Sequence, residues 1–266
     1  MKIPFTNIKK NPVTLEVTVQ APKKTLIGII VCDAKHKDTI YSQSYTNVEG
    51  VVPIEIRLPQ VPQYGYVIVY NASDKSNKDS GFRVLKTETK KLKTDITVYD
   101  STNPILQDFV KFAQDFSERA SYLPTKNGSK DRSIYTSNDG KFTIHYLDEI
   151  MVNGKPRPSS MRVNQKTGVM ELAKKYVSQY TVAERMAILL HEFSHFYLNK
   201  NHKDEFEADM NALMVYCGLG YPRKEAGTAW YKVFYRTPSD MNIDRMQKIY
   251  TFLRNFDRTN FNKKAA

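Results

Sequence analysis

The stretch "TVAERMAILLHEFSHFYLNKNHKDEFEADMNAL", residues 181–213, combines an H-E-x-x-H sequence with an acidic segment just after it. Residues four apart on a helix stack on one face, so His191 and His195 can each direct a ring nitrogen at the same metal ion. Glu192 is turned by about 100° from His191, which places its carboxylate beside that metal rather than on it. A general base that acts on a metal-bound water molecule is needed at this position. The pattern therefore predicts a catalytic metal site on a helix.

The segments around this motif are predicted to be helical. Thr181 and Glu184 form a T-x-x-E capping pattern before an apolar run, which predicts a long helix over 182–199. Asp204 begins a second helix that is expected to end near Gly218. Three further helices are expected from apolar spacing and proline positions, at 104–119, from near Pro222, and after Pro238-Ser239.

A catalytic zinc site needs a third protein ligand. The metzincin pattern has a glycine three residues and a histidine six residues after the second histidine, but Leu198 and Asn201 occupy those positions. His202 is one residue late and lies in an expected turn, so it is a minor candidate. The sequence therefore argues against a metzincin ligand set.

The acidic helix offers a better third ligand. Glu205 and Asp209 are four residues apart and share a face, and a chain reversal through "KNHK" would return Glu205 to the level of the two histidines. Asp209 would then be placed to hydrogen-bond the second nitrogen of a histidine and fix its orientation. The competing explanation is an acidic helix start that the helix dipole favours.

The first hundred residues have the pattern of a β domain. "VTLEVTVQ" (13–20) alternates apolar and polar residues, and six similar runs follow at short spacing. They include "TLIGIIVC" (25–32), "TIYSQSYT" (39–46) and "VVPIEIRL" (51–58), and the last is "TDITVY" (94–99). About seven strands in this length predict an immunoglobulin-like β-sandwich, with a small barrel as the alternative. The sequence thus predicts an α+β fold: a β domain at 1–100 and a domain at 101–266 that combines helices with strands in 141–173.

Composition excludes several classes of protein. The 266 residues are 41% hydrophobic and 26% charged, and the two cysteines, Cys32 and Cys217, lie far apart, which argues against a disulfide framework. The net charge of +12 is spread over both halves without a basic arm, so nucleic acid is not expected as the primary partner. No apolar run predicts a membrane span, and the N-terminus lacks the apolar core of a secretory signal.

Residues 166–213 resemble the zincin metallopeptidases of the gluzincin branch, and more narrowly the minimal soluble relatives of the CAAX-prenyl-protease-like family. The resemblance rests on the H-E-x-x-H and on the E-x-x-A-D of the acidic helix. It implies that 101–266 is a zincin-like domain that hydrolyses peptide bonds with zinc as its cofactor. It also implies the role of each residue: His191, His195 and Glu205 as zinc ligands, Glu192 as general base, and Asp209 as the residue that orients a ligand.

One position departs from the family pattern. Relatives often carry a His-Pro pair ahead of an Arg-hydrophobic pair, and that histidine helps to stabilise the oxyanion. Here Pro238, Arg245 and Met246 are present, but Thr237 occupies the position of the histidine. A donor is then sought among three nearby candidates, Tyr231, Tyr235 and Arg236.

The whole chain also resembles a ring protein of crAss-like bacteriophage tails. That resemblance implies a virion component that assembles as a homo-oligomeric ring, or with other virion proteins, through residues 1–100; otherwise a bacterial cytoplasmic location is expected. Two functions follow: a zinc metallopeptidase, or a structural ring protein with a zincin fold and weak or no activity. A repressor-cleaving zincin with a DNA-binding domain fits less well, since strands occupy the place of a helix-turn-helix.

Overall fold

The structure is a computed structural model. It describes residues 1–74, 76–92, 102–125 and 133–260, with side chains described up to residue 256. The predicted strand at 94–99 and most of the predicted loop at 125–133 lie outside these residues. The fold is mixed α+β, as the sequence predicts. The described elements follow in chain order: β1 (Lys2–Thr6), β2 (Val13–Asp33), β3 (Ile40–Leu58), β4 (Tyr64–Asn71), β5 (Arg83–Lys91), α1 (Pro104–Arg119), β6 (Ile134–Thr136), β7 (Thr143–Leu147), β8 (Met151–Val152), β9 (Lys155–Pro156), β10 (Met161–Val163), β11 (Met170–Ala173), α2 (Lys174–Val177), α3 (Val182–Tyr197), α4 (Glu205–Gly218), α5 (Arg223–Arg236) and α6 (Asp240–Asn260).

The chain forms two compact units. The first consists of Met1–Asp95, Thr181–Ala183 and Leu219–Glu225, and the second of Ile96–Tyr180, Glu184–Gly218 and Ala226–Ala266. No helix in the described part of the chain has both the length and the apolar character to cross a membrane. Both cysteines are buried free thiols, as expected.

The first unit contains one antiparallel sheet of five strands. Its order is β1-β4-β2-β3, and β5 pairs with the first half of β2. Alternate residues of the long strands point inward, because side chains in a strand face opposite sides in turn. They form a single apolar core that includes Leu15, Val17, Ile27, Ile56 and Val69.

The sequence prediction of seven separate strands is wrong in its divisions. "VTLEVTVQ" and "TLIGIIVC" are the two halves of β2, and two further predicted strands are the halves of β3. Both strands bend where the register shifts between Ala21 and Thr25, and Ala21 there pairs with Gly50, whose φ is 73°. A bulge and a left-handed glycine bend a strand without ending it. Turn-forming residues therefore mark bends here, and the immunoglobulin-like arrangement stays a prediction.

A buried carboxylate joins three segments of the first unit. Glu225 accepts hydrogen bonds from the hydroxyls of Ser42 and Thr181 and from the backbone N–H of Gln43. The carboxylate of Glu184 accepts two hydrogen bonds from Lys232. The T-x-x-E pattern correctly predicts that α3 begins at Val182.

The second unit has a four-stranded sheet of order β10-β11-β7-β6. β11 runs parallel to β7, and the other two pairs are antiparallel. β10 is at one edge of this sheet. The β8–β9 hairpin precedes β10, and its turn is Asn153-Gly154, with φ values of 50° and 74° that suit a two-residue hairpin loop.

Helices α1, α3, α4, α5 and α6 confirm the helix predictions to within a few residues. Asn103 caps α1 by accepting a hydrogen bond from the Leu106 backbone, and Asp204 does the same for α4 through Glu207. An aromatic cluster packs α1 against α3. Its centre is the stacked pair Phe109 and Phe193, whose ring centroids are 4.2 Å apart.

Arg185 of α3 is fully buried and binds the ends of two helices. Its guanidinium donates to the carbonyls of Ser117 near the end of α1, and of Val177 and Ser178 at the end of α2, at distances of 2.7, 2.9 and 3.2 Å. A cation is favoured at a helix C-terminus, because the last carbonyls there have no intrahelical partner.

We expect Arg185→Met to lower the free energy of unfolding by about 3 kcal/mol, since it leaves buried carbonyls without their donors. Chemical denaturation of the purified variant measures this loss. Arg254→Met, at an exposed position of α6, is the matched control and should change stability little. A loss at Arg185 no larger than at Arg254 would contradict this role.

Candidate metal centre

Two histidines of α3 and one glutamate of α4 converge on a common point. The Nε2 atoms of His191 and His195 are 3.1 Å apart. Oε2 of Glu205 lies 3.5 Å from Nε2 of His191, and Oε1 of Glu205 lies 3.6 Å from Nε2 of His195. These three side chains form the cluster of potential metal ligands found in the described part of the chain.

The spacing of these atoms fits a zinc ion. Zinc binds histidine nitrogen and carboxylate oxygen at about 2.0–2.2 Å in a tetrahedral arrangement, whose edges are then about 3.3–3.6 Å long. The distance between the two nitrogens, and the distance from each nitrogen to its nearer Glu205 oxygen, lie close to that range. Two histidines and one glutamate are also a donor set used by catalytic zinc sites, which keep the fourth position open. The residues present therefore fit the metal.

His195 is held in one tautomer by the turn between α3 and α4. Its Nδ1 lies 2.8 Å from the backbone carbonyl oxygen of His202, to which it donates, so Nε2 keeps its lone pair for a metal. Gln165 donates to the same carbonyl at 2.8 Å. The His202 ring packs near Phe196 instead, with centroids 5.9 Å apart. His202 thus acts through its backbone, which the side-chain pattern does not reveal.

Asp209 of α4 is a buried anion that contacts three other helices. Its Oδ1 lies 3.0 Å from Nδ1 of His191, in a close contact whose geometry is bent away from that of a standard hydrogen bond. Trp230 of α5 donates to Oδ1 at 2.7 Å, and Arg245 of α6 donates at 2.7 and 2.9 Å. Asp209 therefore supports His191 from behind, at the position that the sequence predicts for it.

Arg245 and Trp230 both contact Asp209, and the sequence reasoning did not place them there. The guanidinium of Arg245 also lies 3.1 Å from Glu205, so it contacts both the potential ligand and Asp209. One signal was available: Arg245 lies in the buried stripe of α6 that runs Asn242, Arg245, Ile249, Leu253 and Phe256. A charge in such a stripe needs a buried partner.

Glu192 lies beside this cluster and is 8% exposed. Burial raises the pKa of its carboxyl above the ordinary value, although His191 and His195 oppose that change. The backbone of Val163 in edge strand β10 also opposes the rise in this pKa. Position and environment both suit a group that accepts a proton within a cleft.

The charges of the cluster favour one another strongly. Burial lowers the pKa of His191, but close contacts with the carboxylates of Asp209 and Glu205 outweigh it and raise that pKa to about 10. Burial raises the carboxyl pKa of both acids, and contact with His191 outweighs it and holds them below their ordinary values. The cluster without metal is therefore an ion-pair network.

The cluster opens into a cleft of about 490 Å³. One wall contains β10 and the segment before it, including Arg157 and Arg162. The other contains residues of α5 and α6, among them Trp230, Phe234 and Asn242. The cleft gives a substrate access to both Glu192 and the ligand cluster.

The candidate oxyanion donors lie away from this cleft, and none lines it among the described residues. Tyr231 and Tyr235 are 55% and 74% exposed and stack on each other. Arg236 donates to the Tyr180 hydroxyl and lies over the Tyr176 ring. Thr237, by contrast, lines the cleft. Spacing along the helix did not distinguish these orientations.

Replacing Asp209 by Asn should weaken zinc binding about 10- to 100-fold, because His191 loses the anion that orients it. The metal-free protein should also lose about 3–5 kcal/mol of stability, since Arg245 would keep a buried charge without its main partner. Competition with a chelator and denaturant unfolding measure the two effects. Asp244→Asn, an exposed α6 acid paired with Lys248, is the control. Equal zinc affinities of the two variants would contradict this role of Asp209.

Zinc binding should release about one proton at pH 7, because His191 has a pKa of about 10 without metal and a ligand imidazole must be neutral. Apparent affinity should therefore rise about tenfold per pH unit between pH 6 and 8. Because the pKa of His191 is higher in the folded than in the unfolded protein, protonated His191 stabilises the metal-free fold. This stabilisation is complete below about pH 6.5 and is lost as the pH rises through 10. Calorimetry in buffers of different ionisation enthalpy counts the protons, and none released would refute the ion pair.

Comparisons with known proteins give little beyond this geometry. No model of a protein family matches the sequence, and no curated protein matches it. One solved structure, a functionally unknown conserved protein mutant from Bacillus anthracis str. Ames, is similar with 13% identity and a TM-score of 0.22. The match covers 86% of this chain and 60% of that one. At this TM-score the likeness carries no argument about fold or function.

Proposed function

We propose that the protein is a zinc-dependent metallopeptidase of the gluzincin branch. The observation that carries this proposal is that three side chains converge in an open cleft. The Nε2 atoms of His191 and His195 are 3.1 Å apart, and each lies 3.5 or 3.6 Å from its nearer Glu205 oxygen. The position of Glu192 beside these three side chains supports a catalytic rather than a purely structural metal, since a structural site needs no adjacent base.

Each residue has a defined part in this proposal. His191, His195 and Glu205 hold the zinc, which when bound supplies a Lewis acid that acidifies water and polarises a peptide carbonyl. The Glu192 carboxylate takes a proton from the attacking water and later gives it to the leaving amine. Asp209 and Arg245 keep His191 and Glu205 in place. Thr237 and Asn242 are the uncharged hydrogen-bonding residues of the opposite wall.

The proposal includes the finer fold. A helix pair that carries H-E-x-x-H and a glutamate, packed beside a four-stranded sheet with β10 at its edge, supports a zincin-like domain at 101–266. Long bent strands around one apolar core support an immunoglobulin-like domain at 1–100.

A peptide library tests the activity. The zinc-loaded protein should cleave a subset of peptides, lose this activity on treatment with a chelator, and regain it on addition of zinc. Glu149→Gln, which changes a partly exposed glutamate paired with Lys175, should behave as the wild type. Cleavage that survives removal of the metal, or no cleavage of any peptide by the zinc-loaded protein, would count against the metallopeptidase.

A structural ring protein is the second candidate. Thr237 in place of a histidine, together with the outward positions of Tyr231 and Tyr235, favours it, since loss of one oxyanion donor costs about 2.7–4 kcal/mol of barrier. In this proposal the protein is a phage virion component that assembles through residues 1–100. Among the described residues β1 pairs only with β4, so one side of β1 offers backbone groups to a partner. Light scattering of the full chain should then give a closed oligomer rather than a monomer.

A further inference from the structure

Three arginines line the cleft, and they differ in how their charge is used. Arg162 pairs with Glu171 at 2.6 Å, and Arg245 pairs with Asp209 at 2.7 Å and with Glu205 at 3.1 Å. Arg157 has no carboxylate within ion-pairing distance among the residues that the structure describes. Its charge therefore remains available to a molecule in the cleft.

The backbone of Arg157 is fixed although its side chain is exposed. It directly follows the β8–β9 hairpin, and its N–H donates to the Ile150 carbonyl at 2.8 Å. A guanidinium presents its N–H groups as a planar fork that matches a carboxylate. The strand-side wall of the cleft thus offers an anion-binding group whose backbone is held in place.

The other charges of the cleft do not compete for a substrate carboxylate. Glu192 and Glu205 are the proposed base and ligand, and a bound zinc ion would add further positive charge. The helical wall offers apolar side chains instead, among them Trp230, Val233 and Phe234. An acidic substrate side chain is therefore attracted to the strand-side wall, and an apolar one suits the helical wall.

We propose that Arg157 makes the cleft selective for peptides that carry an aspartate or glutamate side chain near the bond to be cleaved. This inference rests on the proposed function, because it names the substrate class of the same site. Arg157 acts as a specificity residue that contacts the substrate side chain and takes no part in the chemistry.

Matched peptides that differ only in Glu, Gln or Lys, scanned through three positions on either side of a cleaved bond, test the selectivity. At one position, kcat/KM should be about three- to tenfold higher for Glu than for Gln. Arg157→Gln should remove this preference, and Arg157→Glu should transfer it to Lys. Lys155→Gln, an exposed residue of β9 outside the cleft lining, should leave it unchanged. No preference in the wild type, or one that survives Arg157→Gln, overturns the proposal.

A binding measurement separates this proposal from the metallopeptidase itself. Trp230 is the only tryptophan of the sequence and lines the cleft, so its fluorescence reports on cleft occupancy. Zinc-loaded Glu192→Gln should bind the Glu peptide about three- to tenfold more tightly than the Gln peptide. That result without turnover in the wild type would sustain Arg157 and reject the enzyme. Equal affinities, or no binding of either peptide, overturn the role of Arg157 even if cleavage occurs.

Discussion

Glu192→Gln is expected to keep the zinc and lose the activity. General bases contribute about 10²- to 10⁴-fold to rate, and glutamine has the shape of glutamate without its proton affinity. We therefore expect kcat to fall by that factor while zinc content stays at about one ion per chain. Elemental analysis and steady-state kinetics on a cleaved peptide give the two numbers.

The stability of the same variant shows that a loss of rate is not a loss of fold. Burial raises the pKa of Glu192, so ionising it above that pKa costs the folded state free energy that the neutral amide does not. Metal-free Glu192→Gln should thus unfold at the same or a higher denaturant concentration than the wild type at pH 7. An inactive variant that is also less stable would leave the assignment of Glu192 as base unsupported. Activity equal to the wild type would reject it.

His191→Ala and Glu205→Gln are each expected to abolish stoichiometric zinc binding. Zinc bound by protein side chains gains about 10–16 kcal/mol in structural sites, so one of three ligands contributes on the order of 3–5 kcal/mol, or roughly a thousandfold in affinity. A chelator competition assay followed by Trp230 fluorescence measures this loss, since the Trp230 ring lies 6.3 Å from that of His191.

Two matched variants test whether the loss is specific. His202→Ala removes an imidazole outside the ligand cluster and keeps the backbone carbonyl that accepts from His195. Glu207→Gln changes an acid on the same helical turn as Glu205, whose oxygens accept from the Lys200 and Asn201 backbone. Both variants should retain zinc. Equal loss in His202→Ala and His191→Ala would mean that the ligand set is wrong.

The helices and the proximity of His191, His195 and Glu205 were predictable because both depend on local spacing. His191 and His195 are four residues apart, so they lie on one face of α3. The chain reverses shortly after α3, and this reversal brings Glu205 back to that face. Asp209 follows by the same spacing. Local periodicity was sufficient because both helices lie close together in the chain.

The remainder depends on contacts between distant residues. The side chains of Trp230 and Arg245 donate to Asp209, which is 21 and 36 residues away in the sequence. No local sequence pattern around either residue predicts that partner. The boundaries of the long strands were predicted wrongly for another reason. Residues that usually end a strand, such as Gly50, bend β3 while its pairing with β2 continues. The side-chain directions of Tyr231 and Tyr235 likewise depend on how α5 packs.

The connection between α5 and α6 contains a position, residue 237, whose side chain can change during evolution without loss of the local structure. Asn242 donates to the backbone carbonyl of Thr237 at 2.6 Å, so the connection is held mainly through an atom that every amino acid has. The Thr237 side chain is exposed and faces the cleft. In the proposed enzyme, the residue at this position could therefore be exchanged, with a gain or loss of rate, without rebuilding the helices that carry the proposed zinc ligands.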